Sequence, residues 1–115
     1  MAAAFGEVFT RRWVVELILD LAGYTTDRPL QALTIVEPSA GSGAFLGPIL
    51  DRLLATQPRQ WADLTASVRA FDIQAQNIEA CRQLAEARLV DAGCPAGLAR
   101  ELAETWIVEA DFLLA

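Results

Sequence analysis

Three acidic residues, Glu37, Asp72 and Asp111, each close a short apolar run: "LTIVE", "SVRAFD" and "TWIVEAD". If the runs are strands of one sheet, their ends converge on a crevice. A carboxylate there can accept hydrogen bonds from ribose hydroxyls, from an ammonium group or from an adenine amino group. A single acidic residue at such a place can equally begin a loop or cap the next helix. Three of them shift the reading toward a ligand. The first run leads into "PSAGSGAF", where Gly41 and Gly43 let backbone approach a ligand and the next helix start offers free N–H groups and a positive dipole end. The position for the third glycine of a dinucleotide fingerprint holds Leu46, and Pro38 sits inside the turn, so a nicotinamide-dependent oxidoreductase is the least favoured reading. The chain has no histidine, which excludes Ser-His and Cys-His nucleophile pairs and the common zinc sets. Cys81 and Cys94 read as reduced core or loop residues of a cytoplasmic protein.

The elements that must position these residues follow from periodicity. Val14, Leu17, Ile18 and Leu21 recur at i, i+3, i+4 and i+7, which predicts an amphipathic helix facing the core through them, capped by Thr10 and ended by Gly23. "LTIVE" predicts a buried strand. Leu46, Ile49, Leu50 and Leu53 predict a second helix beginning near Phe45, with Pro48 early enough to be tolerated. "QPRQWADL" is a connection with one helical turn, and "SVRAFD" is the second strand. A long helix is expected over residues 74–92, with Ile78, Cys81, Ala85 and Leu89 on one face and Gly93-Cys94-Pro95 as its stop. A shorter helix over 98–104 leads into "TWIVEAD", a third strand ending at Asp111. The order α-β-α-β-α-β predicts an α/β fold with a parallel sheet and right-handed crossovers. Residues 1–30 form an N-terminal helical segment and 31–115 a βαβαβ core, together one partial domain.

Bulk composition sets limits. With 115 residues the chain is about one domain, smaller than enzyme domains that hold both a substrate and a cofactor. Hydrophobic residues make up 54% and charged residues 21%, a globular composition, and no apolar run approaches the roughly 18 residues of a membrane span. "MAAAF" lacks the basic start of a signal peptide. A net charge of −6 is the wrong sign for gripping the phosphates of a duplex.

"VEPSAGSGAFL" resembles the first motif of amino-directed methyltransferases that use S-adenosylmethionine, especially adenine-specific DNA methylases of restriction-modification and phage-defence systems. "GEVFT" resembles the Phe-Thr-Pro motif that precedes the sheet in that family, with Arg11 in place of the proline. "AFDI" resembles the second motif and "EADFL" the third. Ser39-Ala40 stands where an Ala-Cys pair is common. The resemblance implies a partial Rossmann-like methyltransferase fold with three parallel strands. It implies that Glu37, beside Pro38, faces the methionine ammonium, that Gly41 and Gly43 pass close to the cofactor, and that Phe9 and Thr10 close its methionine end. It further implies that Asp72 takes the ribose hydroxyls, that Ile73 packs on the adenine, that Asp111 accepts from the adenine amino group, and that Phe112 lies against the ring.

The family holds the methyl acceptor with an Asn/Asp-Pro-Pro-aromatic motif, and the target base flips out of the duplex to reach it. Here the prolines stand at 29, 38, 48, 58 and 95, and no two are adjacent. No residue of this chain is therefore expected to act chemically in methyl transfer. The expectation is the N-terminal, cofactor-binding part of a longer methylase, inactive by itself, with DNA bound only through the missing C-terminal part. Such sheets continue on the far side of the first strand, so "LTIVE" should be an open edge, and a homodimer through it is expected. The same cofactor in an RNA or protein methylase, and a non-catalytic binding or assembly module, are the alternatives.

Overall fold

The computed structural model describes residues 11–38, 40–41, 43–56, 60–111 and 113. Its sheet has three parallel strands, β1 (Ile35–Glu37), β2 (Val68–Asp72) and β3 (Ile107–Glu109), in the spatial order β1-β2-β3. Helix α1 (Arg12–Leu21) precedes the sheet, α2 (Leu46–Ala55) connects β1 to β2, and α3 (Ala75–Asp91) with α4 (Ala96–Trp106) connects β2 to β3. Both crossovers step the same way along the sheet, so a common hand places their first helices on one face, where α2 packs on α3. The expected α/β fold with parallel strands is the fold observed.

Local chemistry accounts for most of the elements. Leu46, Ile49, Leu50 and Leu53 are buried along α2, and Ile78, Cys81, Ala85 and Leu89 along α3, the faces their spacing predicts. Pro48 is the third residue of α2, where no intrahelical donor is forfeited. The last turn of α3 closes at Gly93, whose φ of 106° is cheap only for glycine, before Cys94 and Pro95. Cys81 and Cys94 are buried free thiols, and burial raises the pKa of each above its ordinary value.

Three expectations are corrected. Helix α1 turns inward through Val15 and Leu19, while Leu17, Ile18 and Leu21 are exposed, Leu21 at 80%. Residues 15 and 19 lie on the side opposite 13, 17 and 21, so α1 is apolar on two faces, and the periodic stripe is the outer one. Thr10, expected to cap α1, lies outside the described residues. The strand within "LTIVE" is not buried, since Val36 is 46% exposed. β1 is the edge of the described sheet, with β2 on one side only. The third correction concerns "TWIVEAD". Helix α4 runs on through Trp106, which is fully buried and donates from its indole Nε1 to the Leu64 carbonyl at 2.8 Å. That burial shortens the strand to Ile107–Glu109, so β3 ends at Glu109 and Asp111 lies in the following loop.

An ion-pair chain ties the first three helices. Glu16 and Asp20 of α1 meet Arg52 of α2 at 2.6 and 2.9 Å, and Arg12 meets Glu16 at 2.6 Å. Asp51 of α2 is shared by Arg12 of α1 and Arg88 of α3, at 3.0 and 2.9 Å. Arg52 also donates to the carbonyls of Tyr24 and Glu16, so its guanidinium both locks helices and satisfies the chain leaving α1.

Candidate functional site: a carboxylate-lined cavity at the strand ends

β2 is the middle strand and anchors the loops on both sides of its carboxyl end. Ala40 N–H donates to the Phe71 carbonyl at 2.7 Å, and Ala110 N–H donates to the Asp72 carbonyl at 2.9 Å. The loop after β1 and the loop after β3 are thereby drawn toward Asp72. Between them lies a cavity of about 520 Å³, lined by Pro38, Gly41, Asp72, Ile73, Gln74, Asn77, Ala110, Asp111 and Leu113. Its size falls within the ~300–1,000 Å³ typical of small-molecule sites. Its place, outside the carboxyl ends of parallel strands, is where ligands bind in open α/β sheets.

Asp72 is the hub. Its side chain is only 7% exposed. Oδ2 accepts from Gly41 N–H at 2.8 Å, while Oδ1 accepts from Gln74 N–H at 2.8 Å and from Asn77 Nδ2 at 3.2 Å. Burial alone raises the pKa of this carboxyl, but the Gln74 and Gly41 amides and the Asn77 carboxamide outweigh it and hold it below the ordinary value. It is therefore ionised at neutral pH. The Ile73 amide also favours the charged form, and among the described residues Oδ2 takes one hydrogen bond to Oδ1's two, so Oδ2 is the oxygen with acceptor capacity to spare.

The glycine turn is held against α3. Gly41 has φ of 51°, and its carbonyl accepts from the Cys81 thiol at 3.7 Å. The Cys81 thiol pKa is raised by burial first and then by the charges of Asp72 and Glu37, which keeps it a protonated donor. Gly43 has φ of 85°, and a Cβ there would stand 3.2 Å from Leu84 Cδ2 and 3.9 Å from Cys81 Sγ. Gly43 thus serves the packing of the turn on α3.

The structure brings Pro38, Gly41, Asp72, Ile73 and Asp111 to one cavity. Ile73 is 66% exposed at its rim, and Asp111 accepts from Leu113 N–H at 2.9 Å. Glu37 and Gly43 are outside the cavity lining. Phe9, Thr10 and Phe112 lie outside the described residues. Two contributors were not foreseen from sequence, Gln74 and Asn77. Their signal was the helix start directly after Asp72, since the first turn of a helix points its N–H groups and side chains back at the preceding strand end. Glu109 was also passed over. It is level with Asp72 in the ladder, yet it is exposed and outside the lining.

Among the described residues no group of three or more His, Cys, Asp or Glu could hold a metal ion, and no helix is long and apolar enough to cross a membrane. Fold and site together define the chain as a Rossmann-like α/β unit with a carboxylate-lined cavity at its strand ends. Comparison with known proteins refines that class. The chain is 42% identical over 117 residues to the Type II methyltransferase M.XhoI of Xanthomonas vasicola, covering 96% of this chain and 21% of that protein. It is 42% identical over 118 residues to M.PaeR7I of Pseudomonas aeruginosa and 33% identical over 116 residues to M.BstVI of Geobacillus stearothermophilus, both Type II methyltransferases. The chain spans about a fifth (21%) of the length of each of these relatives. No protein-family model matches the chain, and no solved structure matches it significantly. Nearly the whole chain is thus homologous to one part of the Type II methyltransferases, consistent with a fragment of a restriction-modification enzyme.

Proposed function

We propose that this chain is the S-adenosylmethionine-binding portion of a DNA methyltransferase that acts on the adenine amino group. The observation that carries the reading is the character of the cavity. It is lined by two carboxylates, Asp72 and Asp111, by the carboxamides of Gln74 and Asn77, and, among the described residues, by no basic side chain. Such a lining suits hydroxyl and amino donors and a net positive charge, and it repels phosphates. That disfavours a dinucleotide or nucleoside triphosphate and favours a nucleoside bearing a sulfonium and an ammonium. The residues present fit the group: Asp72 has acceptor capacity left for a ribose hydroxyl, Ile73 offers an apolar surface for a base, and Asp111 can accept from an exocyclic amine. Glu37 is assigned to the ammonium by the family resemblance, with its charge close enough to act on Cys81. When bound, the cofactor supplies a methyl group on a positively charged sulfur; this chain's part is to bind and orient it.

The acceptor and DNA belong, in this reading, to regions the chain does not span. The names of the relatives support a methyltransferase, and the sequence motifs support adenine in DNA as the target. The binding step is testable by isothermal calorimetry with S-adenosylmethionine. Asp72→Ala is expected to weaken binding by about 1.5–3 kcal/mol, the worth of hydrogen bonds to a charged acceptor. Unchanged affinity would refute the role given to Asp72, and an unsubstituted chain that binds no S-adenosylmethionine would refute the cofactor reading.

A further inference from the structure

Helix α3 presents a row of side chains, Asn77, Cys81 and Leu84, to the ligand loop. Cys81 donates to the Gly41 carbonyl, and Leu84 abuts the place where a Cβ on Gly43 would stand. Asn77, half-buried in the cavity wall, donates to Asp72 Oδ1. The three residues follow at i, i+4 and i+7, so one helical face meets the turn at Gly41 and Gly43 and the carboxylate of Asp72. Of the three hydrogen-bond donors to Asp72 among the described residues, two are backbone amides, which only a proline at their own positions would remove. Asn77 is the one side-chain donor to Asp72 among the described residues.

We infer that Asn77 is a positioning residue of the cavity: its carboxamide fixes the rotamer of Asp72, and so presets the carboxylate for the ligand's hydroxyls. A carboxylate held by backbone amides at Gly41 and Gln74 alone can still tilt about its Cβ–Cγ bond. The Asn77 contact adds a third point and removes that freedom. The inference rests on the S-adenosylmethionine reading above and deepens it, by giving one residue of the lining, Asn77, a role toward Asp72.

The test compares the unsubstituted chain with Asn77→Leu, which keeps the volume and removes the donor, and Asn77→Gln, which restores a carboxamide. Without ligand, the Asp72 carboxyl carbon is titrated by NMR. Asn77→Leu should move its midpoint upward, toward the ordinary carboxylate value, and Asn77→Gln should return it part of the way. By calorimetry, Asn77→Leu should lose roughly tenfold or more in affinity for S-adenosylmethionine, as expected for a hydrogen bond to a charged group, with partial recovery in Asn77→Gln. If the unsubstituted chain binds and Asn77→Leu binds equally well, the positioning role is overturned, whatever the titration does. Weaker binding without a shifted Asp72 midpoint overturns it too, because the effect would not pass through Asp72. If Asn77→Leu lowers the thermal midpoint sharply, Asn77→Ser, a smaller polar change, serves in its place with the same expected directions. An unsubstituted chain that binds nothing is a failure of the cofactor reading and is recognised as such before any variant is compared.

Discussion

Asp72 shows how much one side chain can organise. Its carboxylate joins the turn after β1 to the start of α3, and a neutral residue there would leave the Gly41 and Gln74 amides short of a partner. The turn depends equally on glycine at 43, because of its packing against α3. At φ of 85° with Leu84 3.2 Å from an added Cβ, alanine meets both backbone strain and a crowded wall. Gly43→Ala is expected to cost about 1–3 kcal/mol, read as a lower midpoint in chemical denaturation. A loss under ~0.5 kcal/mol would show that the turn relaxes at no cost. Sequence marked Gly43 as a close-approach glycine, and the structure adds that the approach to α3 already requires it, which no local pattern records. Gly41, two residues away, does line the cavity.

Among the elements, α1 departs furthest from expectation. Its 3.6-residue periodicity was real, and it pointed to Leu17, Ile18 and Leu21, but Val15 and Leu19 face α2 instead. A helix apolar on two sides carries two candidate faces, and periodicity selects the more regular one. Burial of Val15 and Leu19 and the ion pairs of α1 act in the same direction. Glu16 and Asp20 reach Arg52 only when α1 is rotated with Val15 and Leu19 inward, and Arg52 is mostly shielded, with its side chain 15% exposed. This predicts a specific coupling. Arg52→Met should destabilise the fold by more than the ~0.2–1 kcal/mol of an exposed pair, because the carbonyls of Tyr24 and Glu16 also lose a donor. A double-mutant cycle with Glu16→Gln should return a favourable coupling that shrinks with added salt, discounted for the partial exposure of Glu16. A coupling near zero would assign the rotation of α1 to apolar packing alone.

At the scale of the molecule, two unfinished surfaces coexist. Ile35 N–H bonds to the Ser67 carbonyl, so the alternate residue, Val36, points its backbone groups away from β2 at the open edge. Trp13, 65% exposed, continues the stripe of Leu17 and Leu21 along α1. Exposed apolar surface and an open strand edge both favour association. The isolated chain is therefore expected to self-associate at micromolar concentration in sedimentation experiments. Leu17→Glu with Leu21→Glu should disperse it if the stripe is responsible, and Val36→Lys should do so if the edge is. A monodisperse, unsubstituted monomer would speak against both surfaces. The substitutions touch exposed positions, so the thermal midpoint of the monomer should change little.

The sequence by itself determined the order of the elements, the inward faces of α2 and α3, the parallel sheet and the acidic character of the strand ends. These are local matters of period, turn chemistry and residue type, and each is written within a dozen residues. Tertiary structure alone decided which carboxylates meet and which glycine lines the cavity. It also ended β3 at Glu109, because the buried indole of Trp106 finds its acceptor 42 residues away at Leu64 and holds "TW" in α4. Asn77 entered the site for the same reason. Its role exists only because α3 starts where β2 stops and lies against the turn after β1. Distances between residues remote in sequence set these outcomes, and no periodicity records them.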